Sequence, residues 1–146
     1  MTGFIGTQSF FYTIFPYHFN QLISMSAPDI SLPLDLSYLY EISDNDREFV
    51  KDMIQTVAKN TPDSVIEIRE AQKKSNWKEV GRLVHKLKPS LLLLNIDSLS
   101  THIKSLEDNA KQEINLEFAT TQLSEMESYC GIIVKELSRF IEEDSY

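Results

Sequence analysis

From Leu116 to Phe140, apolar residues return at alternating intervals of three and four: Leu116, Ala119, Leu123, Met126, Cys130, Ile133, Leu137 and Phe140. That spacing lays one continuous apolar stripe along an α-helix and has no counterpart in the two-residue period of a strand. A long helix with a single apolar face must be covered by other elements, so the chain is directed toward a helical bundle.

The upstream sequence supplies the covering helices. A short segment runs through Leu36, Leu39, Tyr40 and Ile42, after which Ser43 to Asp46 offer an acidic cap to a helix with the apolar face Phe49, Val50, Met53, Ile54 and Val57. "NTPDS" reads as a restart, with Thr61 at the N-cap, Pro62 at the first helical position and Asp63 at the positive end of the dipole. Val65, Ile68 and Ala71 continue that face. Asn76 with Glu79 resembles a capping box and opens a helix whose apolar positions are Val80, Leu83, Val84, Leu87, Leu91 and Leu94. Their periodicity passes straight through Pro89, which argues for a bend rather than a stop. Asn95 suits a left-handed closing residue, and Asp97 is placed to cap a further helix along Leu99, Ile103 and Leu106. Connections this short make the helices antiparallel neighbours. The expected fold is all-α: an antiparallel up-and-down four-helix bundle of residues 62–74, 76–95, 97–110 and 115–142, with one or two additional N-terminal helices.

Composition narrows the function. The 146 residues carry a net charge of −8 but distribute it unevenly. Seven Lys and Arg fall between Arg69 and Lys88 against two acids, whereas from Glu107 onward ten acids face three bases. Nucleic-acid binding by the whole domain is disfavoured, while the basic stretch suits an acidic protein surface or a phosphoryl group. One cysteine, Cys130, allows neither an internal disulfide nor a cysteine-based zinc site. His18, His85 and His102 lack the i, i+4 spacing of zinc-binding helices, so no metal site is expected. There is no apolar run long enough to span a membrane and no basic residue before Arg47, so membrane insertion and a secretory signal are not expected and the cytoplasm is the expected location. Residues 1–34, aromatic-rich and without periodicity, read as a flexible or loosely docked arm, leaving 35–146 as the domain.

Within "EVGRLVHKLKPSLLLLN" the chain places a glycine four residues before His85 and a proline four residues after it. In a helix interior these cost about 1 and about 3 kcal/mol relative to alanine. With His85 at zero on a wheel of ~100° per residue, the apolar positions all fall ~100° or more away, so the imidazole points to solvent. Lys78, Gly81, Arg82, Lys88, Pro89 and Leu92 share its side, and neighbouring cations favour a neutral ring, which is a nucleophile. Once such a ring carried a phosphoryl group, Lys88, Arg82 and Lys78 would serve as counter-charges. Gly81 and Pro89 would leave room for a partner's active site to descend.

"HKLKPSLLLLNI" resembles the signature of histidine phosphotransfer (HPt) domains: His85, Leu87, Lys88, Ser90, Leu94 and Asn95 match, and the helices before and after match in order and length over residues 35–142. Pro89 and Asn95 depart from it, glycine being usual at both places. The resemblance implies that His85 accepts a phosphoryl group from the aspartyl phosphate of a response-regulator receiver domain and passes it to a second receiver in a two-component phosphorelay. It further implies Arg82 and Lys88 as the cationic helpers and Lys78, Gly81, Lys86, Pro89 and Leu92 as the docking surface. Receivers and a hybrid sensor kinase are the implied partners, with Mg²⁺ on the receiver, no cofactor on this chain, and a monomeric state. The motif also resembles that of a histidine kinase dimerisation helix, but Lys86 replaces its acid, Pro89 comes one position early and no glycine-rich nucleotide lid follows, so autophosphorylation from ATP is not expected. The other reading is a non-catalytic helical adaptor that binds a partner through the basic face of residues 78–92.

Overall fold

The computed structural model describes residues 34–143, which fold as five helices and no strands. They are α1 (Ser37–Ile42), α2 (Arg47–Lys73), α3 (Trp77–Leu92), α4 (Asp97–Gln112) and α5 (Leu116–Glu143). The arm of residues 1–34 lies outside the described residues but for its last member.

Neighbours in sequence are neighbours in space. α2 packs on α3, α3 on α4, α4 on α5, and α5 returns to α2, closing an up-and-down four-helix bundle to which α1 adds a short fifth helix against α2. The connections are tight because each contains a residue with left-handed backbone: Ser75 after α2, Asn95 after α3, Glu113 and Asn115 after α4. The closing role expected of Asn95 is thus its observed one. Val84, Leu91, Ile103, Leu106, Met126 and Ile133 are among the side chains that fill the centre.

Two helices are long and two are short. At 27 and 28 residues α2 and α5 extend ~40 Å, whereas the 16 residues of α3 and of α4 extend ~24 Å. The N-terminal part of α2 and the C-terminal part of α5 therefore run past the short pair. Val50, Ile54 and Leu137 are buried there, and Leu39 of α1 is buried as well.

Several local expectations are corrected. α2 does not restart at Pro62 but runs through it, and the Thr61 hydroxyl, expected as a cap, donates instead to the Val57 carbonyl at 2.7 Å. The missing proline N–H removes one helical bond, and the packing of the buried Val57, Val65 and Ile68 outweighs that loss. Phe49, expected on the apolar face, is 47% exposed. Asp97 is the first residue of α4 rather than its cap; Ile96 holds that position without a side-chain bond. Asn76 does cap α3, accepting from the Glu79 amide at 3.3 Å, and α3 continues past Pro89 to Leu92.

Candidate functional site

The α3–α4 pair carries the only histidine with an outward ring among the described residues. His85 leaves 60% of its side chain exposed, as its position opposite the Val84 and Leu87 stripe requires. Antiparallel packing then sets each residue of α3 against one on α4: Lys78 meets Glu113, Gly81 meets Lys111, and His85 meets Glu107.

Glu107 organises the site. Only 6% of its side chain is exposed, yet it is fully engaged: Oε1 receives His85 Nδ1 at 2.5 Å and Lys111 Nζ at 2.6 Å, and Oε2 receives Lys88 Nζ at 2.6 Å. Burial alone would raise its carboxyl, but hydrogen bonds from Lys111, Lys88 and His85 outweigh it and hold the group at about 2. Glu107 is therefore an anion near neutrality and only accepts hydrogen bonds. In the neutral imidazole Nδ1 must carry the proton, and Nε2 keeps its lone pair. No described group bonds Nε2.

The residues singled out from sequence are distributed as follows. Lys88 lies on the Glu107 carboxylate beside the ring. Arg82 does not turn to the imidazole; it grips Glu79 through two bonds of 2.6 and 2.8 Å, and that pairing draws the Glu79 carboxyl below its usual range. Lys78 stands 3.8 Å from Glu113. Lys86, Pro89 and Leu92 are exposed.

Gly81 requires a correction. It is buried rather than open to a partner, because the backbone and side chain of Lys111 lie over it. A Cβ at position 81 would stand 2.6 Å from Lys111 Cγ and 3.0 Å from Lys111 N. The glycine admits α4, and with it the lysine that reaches Glu107. Gly81→Leu is accordingly expected to destabilise the fold by about 3 kcal/mol and Gly81→Ala by about 1 kcal/mol, overpacking exceeding the helix-propensity gain. Urea unfolding measures this, and an alanine variant more stable than the wild type would refute the close approach.

Two participants escaped the sequence reading, Glu107 and Lys111. Glu107 enters there only in the count of acids, and Lys111 lies one residue past the expected helix of 97–110. Their i, i+4 spacing and the position of Glu107 next to the buried Leu106 were the available signals.

Elsewhere the chemistry is structural. His102 donates from Nε2 to the Gln122 carbonyl at 2.7 Å and belongs to a polar seam between α4 and α5, in which Asn109 bonds Gln122 and Gln122 bonds Ser105. Cys130 is buried, and burial followed by the nearby Glu127 charge pushes its thiol up to about 12, which leaves it unreactive. Among the described residues no group of His, Cys, Asp and Glu could hold a metal ion, and no helix is long and apolar enough to cross a membrane. Compared with family models, with curated proteins and with solved structures, the chain matches none.

Proposed function

We propose that this chain is a histidine phosphotransfer carrier of the two-component type, working as a monomer in the cytoplasm. His85 accepts a phosphoryl group from a receiver domain's aspartyl phosphate, and a second receiver takes it away. The observation that carries the reading is an exposed imidazole whose inner nitrogen is held by a buried, ionised Glu107 that also gathers Lys88 and Lys111.

The arrangement suits both halves of such a transfer. Glu107 orients the ring and fixes the proton on Nδ1, so Nε2 meets phosphorus along a defined line. The receiver would bring the Mg²⁺ that screens the incoming group. Lys88 and Lys111, both bonded to the carboxylate that holds the ring, would supply counter-charges to the phosphoryl oxygens as charge arrives. Lys86, Pro89 and Leu92 form the exposed surface on which a receiver would settle.

Incubation with a panel of phosphorylated receivers and Mg²⁺ tests the proposal. An acid-labile, base-stable phosphate on this chain is the expected product; its absence with every receiver would favour the adaptor.

A further inference from the structure

We propose that Glu107 also sets how readily the loaded histidine gives its phosphoryl group away, by keeping a proton on Nδ1 of the phosphorylated ring. The proposal rests on His85 being the acceptor, and it concerns the discharge of that group.

Loading forms a bond from the Nε2 lone pair to phosphorus while the bond from phosphorus to the aspartyl oxygen breaks, its electron pair leaving with the receiver's carboxylate. The Nδ1 proton stays where it is, and the ring acquires a formal positive charge. Glu107 Oε1, at 2.5 Å from Nδ1, stands directly against that charge. During discharge an oxygen of the accepting carboxylate, or of water, attacks phosphorus, and the pair of the N–P bond returns to Nε2. With the Nδ1 proton in place the leaving group is neutral imidazole. Without it the leaving group would be an imidazolate anion, far more basic and slower to depart.

The surrounding charges decide which form prevails. From α3, Lys88 is tied to Glu107, Arg82 is occupied by Glu79, Lys78 faces Glu113, and Lys86 is exposed. From α4 come Glu107 and Lys111, with Lys104 and Asp108 exposed along the same helix. The carboxylate is the group bonded to Nδ1 itself, whereas the two lysines bond the carboxylate and not the ring. An anion beside a titrating ring favours the protonated form, so the loaded ring should keep its proton to higher pH than it would alone. The carrier is thereby built to release its group rather than to store it.

Potassium phosphoramidate is the probe, since it loads histidine without any receiver. Phosphorus NMR and release of inorganic phosphate are followed against pH for the wild type and Glu107→Gln, with His85→Gln identifying signal from the other histidines. The wild type should hydrolyse with a pH midpoint about one unit above that of Glu107→Gln, making release roughly tenfold slower in the variant between the two midpoints. The loaded wild type is also compared with itself in urea, where the midpoint should fall likewise; this arm does not depend on how the variant folds. Coincident midpoints in the folded and unfolded wild type overturn the proposal while leaving the carrier reading intact. If phosphoramidate never loads His85, the carrier reading fails and this inference fails with it.

Discussion

If His85 carries the proposed chemistry, replacing it by glutamine should abolish phosphoryl uptake from a phosphorylated receiver while leaving affinity for that receiver nearly unchanged. The amide has no nucleophilic lone pair, yet it is close in size and offers an N–H that Glu107 can accept. Because the ring is largely exposed, fold stability should move by no more than about 0.5 kcal/mol. Radiolabelled transfer and calorimetric titration read the two quantities separately. Retained labelling would remove His85 from the chemistry, and loss of binding together with labelling would instead make it a docking residue.

A second large effect lies far from the imidazole, where α2 meets α5. Arg69 donates to Glu127 Oε2, whose side chain is only 2% exposed, and Glu127 Oε1 is buried with no hydrogen-bond partner. Arg69→Ala leaves that carboxylate with neither oxygen compensated and should cost about 3 kcal/mol at pH 7. Burial already holds the Glu127 carboxyl above its usual range despite the arginine, so its protonated form favours the fold. That contribution is complete below a pH of about 4.5, the unfolded value, and is lost as pH rises through the raised native value. The variant's deficit in urea unfolding should therefore shrink between pH 7 and pH 5, and a companion Glu127→Leu change should recover most of it. An equal deficit at both pH values would count against the buried charge as its cause.

The bundle was readable because its determinants are periodic and local. The stripe from Ala119 to Leu137 is buried along its length, and the cap at Asn76 and the left-handed turn at Asn95 depend on residues a few positions apart. Pro62 misled because local propensity favoured a new helix, while apolar contacts on either side held the old one together. The outward ring of His85 also followed from the wheel. Its immediate partners did not: Gly81 and Lys88 fall on one flank of that wheel, but nothing within α3 says which helix lies there. Glu107 and Lys111 enter only once the chain turns back at Asn95 and α4 is laid alongside. The wheel of α3 alone therefore gives the outward imidazole but the wrong neighbours, placing Arg82 beside it where Lys111 reaches the carboxylate that holds the ring.

The pairing of cations around the imidazole also bears on how another protein would find it. Counted along the chain, the stretch before Lys88 is strongly basic, yet Lys78 faces Glu113, Arg82 is locked to Glu79, and Lys88 and Lys111 divide one carboxylate between them. Seen from a distance these four cations and three carboxylates leave a net of one positive charge. Long-range attraction would then add little to the encounter rate, and selection among competing acidic surfaces would fall to contacts made after collision, where the lysines can exchange one anion for another.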